Sequence, residues 1–179
     1  VKMHRLAPFK GRATDVDVVQ DLMIHDLDLL VWLFKDRPMR LRADGEKMRT
    51  EHWDFVHCEI EFERGWKAHL SVGRNYVKEV RNVEIYHKKG CLEVDLFRNR
   101  LHFADPQEQN ADQYVNEWDY QKRDHLLKEQ EEFYDAIING RPPMVSFEEG
   151  KEVVLLINAV LESLEKGSWI ELGPSQRRA

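Results

Sequence analysis

A chain of 179 residues, 42% of them apolar and 34% charged, has the balance of one globular domain and is short for two. The net charge of −6 argues against a general nucleic-acid binder, which needs a basic face to neutralise phosphates. No apolar run reaches the roughly 20 residues needed to cross a bilayer, and the N-terminus lacks the apolar core of a signal peptide. Cys58 and Cys91 have no metal-binding spacing. We therefore expect one soluble, cytoplasmic domain over residues 1–179, without membrane or nucleic-acid partners.

The first residues predict a β-strand. Apolar and polar side chains alternate from Lys2 to Phe9, and the chain starts at Val1 rather than at an initiator methionine. Because a structural element begins so abruptly, we expect the chain to start inside a longer protein. A processed or trimmed protein would begin in the same way.

The next element is predicted to be a helix with one polar stripe. Residues Val18 to Phe34 read VVQDLMIHDLDLLVWLF, without Gly or Pro, and a run of this length favours a buried or half-buried helix over a strand. On a helix, Asp21, His25 and Asp28 fall on one face because they are four and three positions apart. The rest of the helix surface is apolar.

The polar stripe has three interpretations. A carboxylate beside an imidazole favours the protonated ring and can fix its tautomer, so His25 supported by Asp21 could carry a proton near neutral pH. The same spacing occurs in ordinary surface pairs, which stabilise a helix by about 0.2–0.5 kcal/mol. Together with Asp28, these side chains could hold a divalent cation, although no further His or Cys lies nearby to favour zinc. Spacing alone favours the surface pair, and we assign no metal.

The middle of the chain predicts an antiparallel sheet. Arg37-Pro38 ends the helix, and segments with period-two alternation follow, separated by turns that contain glycine. In two of these segments the apolar side chains on one face are Val56, Cys58, Ile60, Phe62, Trp66, Ala68, Leu70 and Val72. A sheet with one apolar face must cover that face with helices. The strand histidines receive no role, because isolated histidines on a sheet are usually surface residues.

The remaining segment predicts a loop and two helices. Residues 105–121 are polar, rich in amides and without period, which is typical of a long surface loop. Helices are expected from His125 to Asn139 and from Phe147 to Lys166, each followed by glycine. Ser146 and Glu149 match a capping box at the start of the second helix.

Three segments in this order resemble the C-terminal domain of the Gfo/Idh/MocA family of nicotinamide-dependent sugar oxidoreductases. They are HRLAPFKGRATDVDVVQDLMIHDLDLLVWLF, AHLSVGRNYVKEVRNVEIYHKKGCLEVDL and EEFYDAIINGRPPMVSFEEGKEVVLLINAVLESLEKGSWIEL. The resemblance implies an α+β fold with an open, mostly antiparallel sheet and helices packed on one face. It also implies a substrate-binding and oligomerisation domain, joined in the complete enzyme to a Rossmann domain that binds NAD or NADP. The glycine fingerprint and E-K-P motif of that domain do not occur in residues 1–179, so we expect the isolated chain to be inactive.

The resemblance also implies roles for the helix residues. In the family, the histidine of D-x-x-x-H lies near the nicotinamide and acts as general base on a sugar hydroxyl while hydride leaves the same carbon. His25 occupies that position, Asp21 would orient it, and Asp28 matches a family residue interpreted as structural. The segment around them is similar to members that oxidise nucleotide-linked amino sugars at the 3-position.

Substrate-binding candidates follow from that similarity. Arg5 and Arg12 lie near the segment that leads to the helix, and an arginine fork suits a diphosphate. Arg74 and Tyr76, in a turn after a strand, are further candidates. The alternative is that these are ordinary edge and loop charges.

Two other functions remain open from the sequence. The chain could be a stand-alone sugar-binding or dimerisation module without redox activity, or a metal-dependent lyase or isomerase. The family resemblance favours the dehydrogenase and implies a homo-oligomer formed through the sheet.

Overall fold

The computed structural model of the chain describes residues 1–110, 113–121 and 123–173. The strands are β1 (Lys2–Leu6), β2 (Pro38–Glu46), β3 (Phe55–Phe62), β4 (Lys67–Gly73), β5 (Val80–His87), β6 (Gly90–Asp95), β7 (Arg100–Ala104), β8 (Val115–Asp119) and β9 (Ile170–Glu171). A π-helical turn, Val19–Met23, precedes the helices α1 (Ile24–Phe34), α2 (His125–Ile138) and α3 (Phe147–Lys166).

All the described strands belong to one open sheet in the order β8-β7-β6-β5-β1-β4-β3-β2-β9. Strand β1 lies in the middle, parallel to β4 and antiparallel to β5, and the other neighbouring strands are antiparallel. Met3 lies in register with Leu70 on one side and Val83 on the other, and Leu70 with Cys58. These side chains form a buried apolar row across the sheet.

Helices α1 and α3 cover that apolar face. Leu27 and Leu30 of α1 and Val160 of α3 are fully buried and join the sheet residues in one hydrophobic core. The capping box at the start of α3 is confirmed: the Ser146 side chain accepts a hydrogen bond from the Glu149 backbone, and the Glu149 carboxylate accepts one from the Ser146 backbone. The predicted α+β fold, an open and mostly antiparallel sheet with helices on one face, is confirmed.

The predicted surface loop over residues 105–121 was wrong in part. It contains β8, which pairs with β7 so that Trp118 lies opposite Leu101. All five residues of β8 are exposed. An edge strand held by backbone hydrogen bonds and by surface ion pairs, such as those of Arg100 with Glu117 and Asp119, needs no buried side chains, so its sequence shows no alternation that would predict it. Residues 111 and 112 of the predicted loop lie outside the described residues.

The predicted helix boundaries agree with the described ones to within a residue or two, except at the start of the first helix. There the segment expected to be α-helical from Val18 begins as the π-turn Val19–Met23. Within the described part of the chain, no helix combines the length and apolarity of a membrane span.

Candidate active site

The predicted catalytic residues lie where the π-turn passes into α1. Asp21 belongs to the π-turn and His25 to the first turn of α1. A π-turn inserts one extra residue into a helical turn and occurs often at functional sites. Hydrophobic periodicity cannot distinguish such a turn from an α-helix over five residues, which is why the sequence did not predict it.

His25 is exposed and its imidazole is uncommitted. Among the described residues, no hydrogen bond or ion pair within 4.0 Å joins its ring to another side chain, including that of Asp21. Its electrostatic neighbour is Asp28, one turn further along α1. Burial raises the pKa of the Asp28 carboxyl, the charge of Glu149 raises it further, and His25 lowers it. The described geometry therefore links His25 to Asp28, while the predicted support from Asp21 stays a prediction.

Arg5 points from the middle of the sheet towards α1. Its Nε and Nη2 donate to Oδ1 of Asp26, at 3.0 Å and 2.6 Å. The Asp26 side chain is 4% exposed and that of Arg5 is 13% exposed. Asp26 follows His25 directly, so this ion pair fastens the first turn of α1 to β1. The sequence did not single out Asp26, because nothing local distinguishes its carboxylate from that of Asp28.

A small basic pocket lies beside this turn, with a volume of about 50 Å³. Its ionisable lining residues are Arg5, Lys10, Arg12, Asp21, Glu79, Arg74 and Arg81. Five basic groups therefore face two carboxylates, and Arg5 and Arg74 are also paired with buried carboxylates outside the lining, so an excess of one positive charge remains, which favours an anion. The volume is far below the roughly 300–1,000 Å³ of typical ligand pockets, so only one end of a sugar nucleotide fits within it. The structure thus brings together four of the predicted site residues: Asp21, Arg5, Arg12 and Arg74.

Arg74 lines the pocket but uses its guanidinium to hold loops together. It is 6% exposed, and its Nε donates to Oδ1 of Asp54 at 2.7 Å. Its other nitrogens donate to the backbone oxygens of Ala13 and Val16 and to the Thr50 hydroxyl. Arg74 therefore contributes positive charge to the pocket wall rather than a free fork for a ligand.

Asp54 anchors the other end of this clamp and is fully buried. Burial would raise the pKa of its carboxyl, but hydrogen bonds from the backbone of Arg49, Thr50 and Met48 and from Arg74 outweigh burial and hold the pKa well below its usual value. The carboxylate stays charged and fixes residues 48–50 after β2, while Arg74 joins it to the segment that precedes the π-turn.

Arg12 and Tyr76 are the remaining predicted substrate contacts. Arg12 is exposed at the pocket and forms no side-chain hydrogen bond or ion pair with a described residue. The Tyr76 side chain is 41% exposed and is not part of the pocket lining. Its backbone N–H donates to the carbonyl of Ala7, which ties the turn after β4 to the end of β1. Arg12 is thus the better placed of the two.

No group of three or more His, Cys, Asp or Glu side chains that could hold a metal ion occurs in the part of the chain that is described. The stripe of Asp21, His25 and Asp28 is therefore not arranged as a metal site.

A family model described as "GFO/IDH/MocA C-terminal domain" matches residues 7–93, which include the π-turn, α1 and the strands β2 to β5. Among curated proteins, a UDP-N-acetylglucosamine 3-dehydrogenase from Acidithiobacillus ferrooxidans is 33% identical over 161 residues, or 86% of this chain and 50% of the relative. The chain thus spans about half the length of the curated relative it matches.

Solved structures give the same result. A structure of the Acidithiobacillus ferrooxidans enzyme superposes with a TM-score of 0.83 at 32% identity, covering 92% of this chain and 54% of that one. Levoglucosan dehydrogenase in complex with NADH and levoglucosan superposes with a TM-score of 0.79 at 17% identity, covering 97% of this chain and 59% of that one. The second likeness supports the fold alone.

Proposed function

The chain belongs to the GFO/IDH/MocA family as a C-terminal domain, and from that premise we propose that it is the substrate-binding half of an NAD(P)-dependent sugar dehydrogenase. The proposed substrate is a nucleotide-linked amino sugar, and the reaction oxidises one of its hydroxyls. The observation that carries this proposal is the placement of an exposed, uncommitted His25 one turn beyond the residues that line a basic pocket.

His25 is proposed to accept the proton of the reacting hydroxyl. Because its ring nitrogens have no partner among the described side chains, one of them is open to a substrate hydroxyl. Asp28, one turn further along α1, is the electrostatic neighbour of His25. NAD or NADP, when bound, supplies the hydride acceptor.

The cofactor is proposed to be held mainly by a dinucleotide-binding domain that is not part of this chain. The domain would cover an apolar surface on α2, where Leu126, Phe133 and Ile137 share one helix face and are 65%, 56% and 63% exposed. Uncovered apolar faces of this kind mark interaction surfaces. The relatives have about twice the length of the chain, so the part of them that this chain does not match is long enough for such a domain.

A homo-oligomer through the sheet is also proposed. Strand β8 is an uncovered edge strand, and Trp118 on it and Tyr86 on β5 are 51% and 57% exposed. An open edge and large exposed aromatic side chains favour association with a second copy. Light scattering after size exclusion, on wild type and on Trp118→Lys, tests this: a wild-type monomer refutes the proposal.

The central test is the His25→Ala variant of the complete protein. We expect kcat for UDP-N-acetylglucosamine to fall by about two to four orders of magnitude, as for loss of a general base, while cofactor affinity is retained. His87→Ala, an exposed histidine on β5, is the matched control and should keep wild-type rates. Equal rates for His25→Ala and wild type would remove His25 from the mechanism.

The 179-residue chain alone should show no cofactor-dependent oxidation under the same conditions. Turnover by the chain alone would refute the proposal that a separate domain completes the active site. Sugar binding without turnover, even in the complete protein, would favour a binding module instead.

A further inference from the structure

The ion pair between Arg5 and Asp26 lies in the core between the sheet and α1. Arg5 shares the helix-facing side of β1 with Met3, since residues two apart on a strand point the same way. Both of its bonding nitrogens donate to the same oxygen of Asp26, Oδ1. The other oxygen, Oδ2, is buried and has no hydrogen-bond partner in the described structure.

Such a pair is poorly suited to stabilising the fold. Removing two charges from water is compensated only when the remaining donors and acceptors are also satisfied, and apolar residues of similar volume often serve as well. Asp54 shows what a satisfied buried carboxylate requires, because both of its oxygens accept hydrogen bonds. Asp26 has one unsatisfied oxygen, so its placement beside His25 calls for a reason other than stability.

The geometry points to Asp26 as a positioning residue, which holds the Arg5 guanidinium so that its third nitrogen, Nη1, receives a phosphate group of a nucleoside diphosphate sugar in the basic pocket. This inference rests on the proposed function, since it assigns the anion contact of the same site. Arg5 lines the pocket whereas Asp26 does not. Nη1 has no partner among the described residues, while Nε and Nη2 are committed to Asp26.

Three other cations of the pocket are paired with carboxylates. Lys10 and Arg81 share Glu79, with N–O distances of 3.0 Å and 3.6 Å. Arg74 is committed to Asp54. Within the described part of the chain, Nη1 of Arg5 has no partner and Arg12 forms no ion pair, and two such arginine donors fit the two phosphates of a diphosphate.

The position of Asp26 also links anion binding to the reacting group. Asp26 follows His25 directly in α1, so a single peptide unit separates the residue that orients Arg5 from the proposed proton acceptor. The distance between the bound phosphate and the oxidised hydroxyl is thereby restrained. The site should favour sugars that carry a diphosphate over the same sugars without one.

The test uses the complete protein and the double variant Arg5→Met/Asp26→Leu. Apolar side chains of similar volume remove the ion pair without leaving a buried charge, so the variant is expected to fold. Loss of one charge-assisted contact should raise KM for UDP-N-acetylglucosamine about tenfold or more. The loss in kcat/KM should be larger for UDP-N-acetylglucosamine than for N-acetylglucosamine without the nucleotide, and KM for the cofactor should stay near the wild-type value.

Two further variants complete the design. The control variant Arg40→Met/Glu61→Leu removes a more exposed ion pair of 2.7 Å between β2 and β3, outside the pocket. It should leave kcat and the KM values of both sugars and the cofactor unchanged. Arg5→Lys keeps the charge but loses the fork, so it should raise KM for the nucleotide sugar without lowering kcat, and it serves if the double variant does not fold. Calorimetry with UDP gives a readout that needs no turnover.

The outcomes separate this inference from the proposed function. If the variant Arg5→Met/Asp26→Leu oxidises the nucleotide sugar with the KM of the wild type, the positioning role of Asp26 is overturned. The proposed dehydrogenase function would be unaffected by that result. If wild type oxidises no sugar, the proposed function fails. UDP binding that is lost in the double variant would still support the anion contact, and equal binding by both proteins would overturn it.

Discussion

Replacing Asp54 with alanine removes the central acceptor of the network that joins the loop after β2 to the segment before the π-turn. The carboxylate accepts five hydrogen bonds, from three backbone N–H groups, the Thr50 hydroxyl and Arg74. Arg74, which is 6% exposed, would remain as a buried cation without its counterion. Breaking a buried ion pair on one side in this way costs about 3–5 kcal/mol.

A loss of that size is a large part of the total stability of a domain, which is typically about 5–15 kcal/mol. Urea denaturation of wild type and Asp54→Ala at about pH 7, followed by circular dichroism, measures the difference directly. Glu61→Ala is the control, because the ion pairs of Glu61 with Arg40 and Lys67 are partly exposed and should contribute much less to stability. If Asp54→Ala loses no more than this control, the clamp does not hold the fold.

The difference in unfolding free energy between wild type and Asp54→Ala should depend on pH. The pKa of Asp54 is lowered in the folded protein, so its contribution is fully present above the unfolded value of about 3.9 and is lost as the pH falls through the lowered folded value. The gap between wild type and Asp54→Ala should therefore narrow on acidification. A gap that stays constant down to about pH 2 would contradict the assignment of a charged, hydrogen-bonded Asp54.

Three further predictions concern the helices. Ser146→Ala should lower the free energy of unfolding, measured by urea denaturation, by about 1 kcal/mol, because it removes the side-chain cap of α3. Ser146→Asp should restore the lost stability, because aspartate also caps helices. Ser163→Ala should cost more, about 1–3 kcal/mol, because the buried hydroxyl both accepts from the Ala43 N–H and donates to the Ser168 carbonyl. Asp28→Asn should raise stability at neutral pH, because burial raises the pKa of that carboxyl and the charged form is disfavoured in the fold. The gain should vanish below the unfolded pKa of about 3.9, where Asp28 is protonated in both states; a gain at acid pH alone would contradict this sign.

Local sequence patterns predicted most elements of this protein, although not β8 or the π-turn, and the place of its candidate site. Alternation predicted the central strands, the capping box predicted the start of α3, and the spacing of Asp21 and His25 drew attention to the segment beside the pocket. These signals are readable because a strand, a cap or a helical face depends on residues close together in the chain. The order of three segments then indicated the family, and with it the fold.

Tertiary structure alone decided which charges are free. Arg5 and Asp26 are 21 positions apart, and Arg74 and Asp54 are 20 apart, so no local pattern shows that each arginine meets a buried carboxylate. Strand β8 likewise exists because β7 lies beside it. The energy of a buried charge depends on the groups that packing brings around it, and packing is a property of the whole chain. The sequence therefore identified the candidate residues, whereas the fold determined that Arg74 is held in a clamp and that Arg5 and Arg12 face the pocket with donors to spare.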